Sequence, residues 1–267
     1  MRLGLIGATG WLGSALGTRL LQSGWPEGDL VLLNRSASRA IYDPWPGVYW
    51  SQNAAELCAR SEVIVLSIRP EDFPLAGFNG ANRLVLSFMT AWSLDRLGAA
   101  CPGARVVRAM PNGAASGGNS FTPWVAGPGF SRTDVAVTRH LLSAIGVEAA
   151  VAGEQQLDYL TALSGSGSAY PALMAQAMIA DSLAHGLSED LARAAVASIL
   201  QAGGALATEV AHLDAVLDTY EGYRGVTAAG IQAARTAGFQ QVIAAALAAA
   251  EAKARDLTAA GLRTGTR

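Results

Sequence analysis

The chain has 267 residues and a formal net charge of −2 at pH 7, and 51% of its residues are hydrophobic. This length allows one large domain or two modest ones, and the small net charge without a basic block disfavours a nucleic-acid partner. The nearest candidate for a membrane span, residues 242–250, is too short, so we expect no membrane partner. The isolated Cys58 and Cys101 exclude a disulfide scaffold and fit a reducing cytoplasm.

Metal and lysine chemistry are also disfavoured. The histidines His140, His185 and His212 lack the spacing of metal ligands, so we expect no metal site. Among the 19 basic residues Lys253 is the one lysine, and it lies in a late Ala-rich segment.

The first strand and the turn after it are the most informative segment. A mainly apolar strand over residues 2–6 leads into the glycine-spaced stretch Gly7–Gly13, and a helix is predicted from Trp11 to Ser23. A strand that opens through spaced glycines into a helix is typical of the phosphate-binding turn of a dinucleotide-binding βαβ unit. The alternative is a tight strand–helix turn without a ligand.

The end of the second strand indicates which dinucleotide binds. After the predicted strand 30–33, Asn34 occupies the position where NAD-binding units usually place a carboxylate. Arg35, Ser36 and Arg39 would suit a 2′-phosphate, with no carboxylate at that position to repel it. The sequence therefore favours NADPH (NADP) over NADH, although Arg35 could also be a solvated loop residue.

The following elements alternate between strands and helices. Further strands are predicted at 62–68, 83–87, 104–107, 121–126 and 147–150, and helices at 93–99, 132–144 and after Pro70. This order predicts an α/β fold whose N-terminal part, residues 1–153, is a doubly wound Rossmann-type dinucleotide-binding domain.

Helical periodicity replaces this alternation after Gly153. Helices are predicted at 156–163, 169–185, 188–210 and 238–257, within an all-helical dimerisation and substrate domain of residues 154–267. Such Ala- and Leu-rich helices have too few polar positions for solvation on every side. We therefore expect a homodimer through this domain, and a higher oligomer stays open.

Two polar segments interrupt the helices, at residues 163–170 and 220–227. The first contains three serines and two glycines, whose hydroxyl and N–H groups suit a small carboxylate. The alternative is an interhelical turn with capping serines.

These motifs together resemble the pyrroline-5-carboxylate reductase family over nearly the whole chain. The resemblance rests on the glycine turn, Asn34–Ser36, Ile68–Pro70, Val107–Asn112, Ala126-Gly127 and above all Leu163–Tyr170. It implies an enzyme that reduces a cyclic imino acid with NADPH, first of all 1-pyrroline-5-carboxylate to L-proline. It also implies an active site between sheet and helices, and a helical domain that interlocks two subunits.

The resemblance assigns residues by position. The pyrophosphate would be held by Gly7, Ala8, Thr9, Gly10, Trp11 and Leu12, and the 2′-phosphate by Asn34, Arg35 and Ser36. The adenosine and nicotinamide parts would be bordered by Ile68, Arg69, Pro70, Met110, Pro111 and Asn112. Thr227 would be catalytic, with its hydroxyl near the imine nitrogen. The substrate would be bound by Ser164, Gly165, Ser166, Gly167, Ser168, Arg224, Gly225 and Val226.

Three departures from the family concern the substrate. Ser168 replaces a usual proline, residues 222–227 replace the family's Ser-Pro-Gly-Gly-Thr-Thr, and residues 88–93 replace a run of small residues. A second hypothesis is therefore another cyclic imine, or a biosynthetic imine intermediate with an extra group that Arg224 could pair with. A third is a non-catalytic NADPH-binding protein. A β-hydroxyacid type of dehydrogenase would need a lysine on a central helix, and Lys253 lies too late for that.

Overall fold

The computed structural model describes residues 1–35, 38–208 and 212–260. Its N-terminal part is an eight-stranded sheet with the strands β1 Leu3–Ile6, β2 Leu30–Leu33, β3 Tyr49–Trp50, β4 Val63–Leu66, β5 Leu84–Ser87, β6 Arg105–Ala109, β7 Ser120–Ala126 and β8 Gly146–Ala150. The strand order is β3-β2-β1-β4-β5-β6-β7-β8. β1 to β6 run parallel, and the pair β7–β8 runs antiparallel to them.

Ten helices accompany these strands within the described ranges. They are α1 Trp11–Gln22, α2 Ala54–Arg60, α3 Leu94–Ala100, α4 Arg132–Ser143, α5 Glu154–Leu160, α6 Ala169–Ala184, α7 Glu189–Thr208, α8 Leu213–Gly222, α9 Val226–Thr236 and α10 Phe239–Ala260. The predicted α/β sheet followed by helices is confirmed.

Several local predictions need correction. β3, α2, α8 and α9 were not predicted. The helix expected after Pro70 is a single 3-10 turn, Pro70–Asp72, because Pro74 disfavours helical backbone at Phe73. The helix predicted over 156–163 ends at Leu160, and Thr161–Gly165 forms one π-helical turn.

The sheet has an apolar cluster on each face because its strands alternate between the two sides. Leu3, Leu5 and Leu32 pack with Leu16 of α1 and Leu141 of α4. On the other face, strand residues pack with helices α2 and α3, including Ile6, Val31, Ile64, Leu57 and Leu97. The carboxyl ends of the parallel strands are thereby held between two helical layers.

Spatial contacts divide the chain into two units. One contains Met1–Ser166 together with the end of α10 from Ala250, and the other contains Gly167–Ala249. The division of function at residue 153 stays a prediction.

The second unit buries little of its apolar surface. Within its described residues, Ala192 and Val196 are the hydrophobic side chains that are fully buried. Large apolar side chains are exposed on its helices, including Leu173, Leu183, Leu191, Ile199, Phe239 and Val242.

Helix α7 corrects an expectation from the sequence. It is long and apolar enough to cross a membrane by length and composition, with a mean hydropathy of 1.2, although we expected no such segment. Its charged residues Glu189, Asp190 and Arg193 lie in the first turns, and the uncharged remainder is rich in alanine and glycine rather than strongly apolar. Composition of this kind also suits a helix that packs against other helices.

Asp134 joins the start of α4 to the sheet. Its carboxylate accepts hydrogen bonds from the Ser131 backbone and hydroxyl groups, forming a capping box, and from Arg105 Nε of β6 at 2.8 Å. Burial raises the pKa of Asp134, but the hydrogen bonds from Arg105 and Ser131 outweigh it and hold the pKa below its usual value.

We expect Asp134→Asn to lower the free energy of unfolding at pH 7 by about 1–3 kcal/mol, because charged hydrogen bonds to a buried group are lost. A depressed folded-state pKa contributes stability above the unfolded pKa of about 3.9, and that contribution is lost as the pH falls through the folded-state pKa. Urea denaturation of wild type and variant should therefore give curves that converge toward low pH.

The matched control is Asp95→Asn, which removes an exposed acid from the first turn of α3. Its effect should stay within about 0.5 kcal/mol. Equal losses for both variants would contradict the assigned role of Asp134.

Candidate functional site

A cavity of about 540 Å³ lies at the carboxyl ends of β1, β2 and β4. It is lined by Ile6, Gly7, Gly10, Leu33, Asn34, Arg35, Gln52, Ser67, Ile68, Arg69, Asp72 and Leu75. In an open parallel sheet this is the edge at which ligands bind.

Two glycines of the turn are required by close packing alone. Gly7 has a φ of +84°, and a Cβ there would lie 2.0 Å from the carbonyl oxygen of Ser67. A Cβ at Gly13 would lie 2.2 Å from the carbonyl oxygen of Gly7. The turn is therefore pressed against both the end of β4 and the start of α1.

Gly10 brings the amino end of α1 to the cavity. It is the N-cap of the helix, and among the described residues it has no side-chain capping bond and no acidic residue in the following turn. The first N–H groups of a helix lack intrahelical acceptors, and the helix dipole is positive at this end. The turn therefore offers free donors and positive potential to an anion.

The far side of the cavity holds an ion pair that the sequence did not reveal. Arg35 Nη1 lies 3.1 Å from Asp72 Oδ1 of the turn after β4. Asn34 stands where NAD-binding units usually place a carboxylate, but Asp72 brings a carboxylate to the same cavity from another element. Arg39 does not line the cavity, since its guanidinium lies 4.5 Å from the ring centroid of Trp50. Ser36 lies outside the described residues.

The other residues assigned to the cofactor divide between the cavity and its supports. Ile68 and Arg69 line the cavity, whereas Pro70 accepts a hydrogen bond from Trp92 Nε1 at 3.0 Å. The Ala8 carbonyl accepts from the buried Tyr42 hydroxyl at 3.0 Å, and Leu12 packs against the core. Thr9 keeps a polar or ring contact of its own.

Trp11 lies beside the turn rather than in the cavity. It is 72% exposed, and its ring packs against Gly113, where a Cβ would lie 2.7 Å from the indole. It thereby connects the glycine turn to the segment after β6.

That segment joins two predicted parts of the site. Met110 and Pro111 are buried at the end of β6, and Asn112 Nδ2 donates to the carbonyl oxygen of Ser164 at 3.0 Å. The predicted nicotinamide border and the predicted carboxylate segment therefore meet within the first unit.

A second cavity of about 150 Å³ lies next to this contact. Its lining includes Thr90, Arg108, Met110, Asp158, Thr161, Ser166 and Lys253. Arg108, only 1% exposed, forms ion pairs with Glu154 and, at 3.8 Å, with Asp158. Burial raises the pKa of Asp158, and Arg108 opposes this effect.

Sequence reasoning missed the charged residues of this cavity. Arg108 lies in a family motif but has no role assigned from the sequence. Lys253 lies too late in the chain to predict a place in the site. The return of α10 to the first unit places Lys253 along the cavity. No local pattern around it signals this position.

The remaining substrate residues lie in the second unit. Gly167 and Ser168 precede α6, and Arg224 and Gly225 connect α8 to α9. Arg224 has a φ of +50°, and it lines a cavity of about 490 Å³ with Gly225, Gln232 and the ion-paired Arg235 and Glu221. Val226 is 92% exposed, and Thr227 lies in the first turn of α9.

Comparisons with known proteins identify the family. Residues 154–257 match a family model described as pyrroline-5-carboxylate reductase dimerisation. The chain is 30% identical over 264 residues to a pyrroline-5-carboxylate reductase of Synechocystis sp., covering 96% of this chain and 98% of that protein.

Solved structures show the same fold. A pyrroline-5-carboxylate reductase of Streptococcus pyogenes superposes with a TM-score of 0.83 at 24% identity, covering 96% of this chain and 98% of that one. A pyrroline carboxylate reductase of Plasmodium falciparum with NADP bound gives 0.82 at 20% identity, with 97% and 98% covered. Because it is 30% identical to the Synechocystis protein over nearly the full length of both, the chain belongs to the pyrroline-5-carboxylate reductase family.

Proposed function

We propose that this protein reduces 1-pyrroline-5-carboxylate to L-proline with NADPH. Family membership gives the reaction, and one observation in this chain carries it: the glycine turn at Gly7 opens onto a cavity at the carboxyl edge of the sheet. That cavity combines an uncapped helix end with Arg35. The enzyme is therefore an oxidoreductase that acts on a C=N bond.

The residues present fit NADPH. The N–H groups at Gly10 and the following turn would hold the pyrophosphate, as helix amino ends do for many nucleotides. Leu33, Ile68 and Leu75 give the cavity apolar walls, and Arg35 would bind the 2′-phosphate together with Asn34. When bound, NADPH supplies the hydride that the imine carbon accepts.

The protein's own side chains would orient the imino acid. Reduction places a proton on the imine nitrogen, and the Thr227 hydroxyl is assigned there by its position in the family motif. Residues 164–168 would bind the carboxylate through hydroxyl and N–H groups. A protonated imine is already electrophilic, so holding its carbon in place is the main task of the protein.

The second candidate substrate is an imine with an additional anionic group. Arg224 supports this alternative, since it stands where the family has glycine and lines a cavity in which Arg235 is already neutralised by Glu221. Among the described residues Arg224 forms no salt bridge, so its charge is available to a ligand.

We further propose a homodimer formed through the helical region, in the cytoplasm, without a membrane or nucleic-acid partner. The match of residues 154–257 to a dimerisation family supports this assembly. The exposed apolar side chains of α6 and α7 support it as well, since a second copy would cover them.

The direct test is NADPH oxidation with a panel of cyclic imines. We expect turnover with 1-pyrroline-5-carboxylate, formation of L-proline, and a lower KM for NADPH than for NADH. Turnover confined to another imine would support the second candidate. Tight NADPH binding without turnover of any imine would overturn the catalytic proposal in favour of a nucleotide-binding protein.

Thr227→Ala should lower kcat/KM by roughly tenfold or more without changing NADPH affinity, because a hydrogen bond to a charged group is lost. Steady-state kinetics and nucleotide titration measure the two effects. Thr219→Ala is the control, since the Thr219 hydroxyl donates back to the Ala215 carbonyl at 2.8 Å within α8. An unchanged kcat/KM for Thr227→Ala would remove this residue from the catalytic assignment.

Arg224→Gly restores the family's residue and should improve kcat/KM for 1-pyrroline-5-carboxylate if Arg224 selects a more anionic substrate. Removing the side chain also relieves the left-handed backbone at this position, so thermal unfolding is measured in parallel. Arg193→Ala, which removes an exposed cation paired with Glu189 on α7, controls for the charge change. Unchanged kinetics for Arg224→Gly would eliminate the role of Arg224 in substrate selection.

A further inference from the structure

We propose that Asp72 sets the cofactor preference of this enzyme by competing with the 2′-phosphate of NADPH for Arg35. The inference rests on the proposed function, because it concerns the same cofactor cavity. Asp72 would supply, from the turn after β4, the carboxylate that is missing at Asn34. Asp72 therefore reduces the amount by which NADPH binds more tightly than NADH.

Asp72 lines the cavity together with Gly7, Gly10 and Arg35, and its carboxylate is 3.1 Å from the Arg35 guanidinium. The ion pair therefore lies in the space assigned to the adenosine end of the cofactor.

The protein holds the two residues of this ion pair, Asp72 and Arg35, to different degrees. The Asp72 N–H donates to the Arg69 carbonyl at 3.0 Å, and the adjacent Phe73 is 5% exposed and packs edge-on against Trp92. Trp92 in turn donates to the Pro70 carbonyl. The Arg35 side chain is 82% exposed. The backbone that carries Asp72 is thus held by a packed turn and its side chain is 31% exposed, so the Arg35 guanidinium is the partner that moves more freely toward a ligand.

The 2′-phosphate of NADPH and the Asp72 carboxylate carry negative charges that repel each other. A ribose phosphate carries a charge of about −1.5 to −2 near neutral pH. It must draw Arg35 away from Asp72 or share the guanidinium with it, and in both cases it approaches the Asp72 carboxylate. NADH has only a ribose hydroxyl there, which can donate to a carboxylate. Asp72 therefore weakens NADPH binding and leaves NADH binding intact or stronger.

The test is fluorescence titration with four nucleotides: NADPH, NADH, 2′-phospho-ADP and ADP. In Asp72→Asn we expect the Kd of the two 2′-phosphorylated nucleotides to fall by about three- to fivefold, the range of an exposed ion pair. The Kd of NADH and ADP should stay equal or rise. The gain should diminish at high salt because exposed charges are screened.

Two variants separate this proposal from general electrostatics. Glu71→Gln removes the neighbouring exposed carboxylate, which does not line the cavity, and should change none of the four Kd values. In an Arg35→Ala background, the gain from Asp72→Asn should shrink. An equal gain from Glu71→Gln, or an undiminished gain without Arg35, would overturn the proposed competition.

The design also separates failure of this inference from failure of the proposed function. A folded wild-type protein that binds neither NADPH nor NADH would refute the proposed function itself. Binding of NADPH with the same NADPH-to-NADH preference in wild type and Asp72→Asn would refute only the role of Asp72. Circular dichroism and thermal unfolding of each variant establish that it is folded.

Discussion

The close contact between the first turn and the end of β4 is the constraint on which the site depends. Gly7 lies so near the Ser67 carbonyl that any side chain would collide with it, and Gly13 is pressed equally close to Gly7. The Gly7 N–H also donates to the Leu33 carbonyl at 2.9 Å, which ties the turn to β2. One turn thus fixes the relative positions of three strand ends and one helix start. The amino end of α1 can face a ligand because these strands hold it there.

The local nature of this turn explains why the sequence predicted the doubly wound sheet well. Glycine spacing and buried strands such as Val63–Leu66 are local signals, and the structure builds the expected doubly wound sheet from them. The two-residue strand β3 and the short α2 are too brief for periodicity to reveal. Helices α8 and α9 were not predicted because residues 220–227, which contain the end of α8 and the start of α9, have the polar, glycine-containing composition of a loop.

The charged partners could not be predicted because they depend on contacts between distant segments. Arg35 and Asp72 are 37 residues apart, and Arg108 and Glu154 are 46 apart. A single sequence shows each charge without its partner. The same holds for Lys253, whose place along the Arg108 cavity depends on the path of α10. The sequence places Asn34 and Arg35 at the end of β2, but only the fold shows that the Asp72 carboxylate lies beside Arg35.

Backbone conformation also governs the loop at Arg224. A non-glycine residue in the left-handed region costs on the order of 1 kcal/mol or more relative to glycine. Arg224 adopts this conformation, with a φ of +50°. The left-handed residue lets the backbone pass directly from the end of α8 to Gly225, the N-cap of α9, which leaves Thr227 in the first turn of that helix. This backbone path to Thr227 therefore carries an energetic cost that glycine at position 224 would lower.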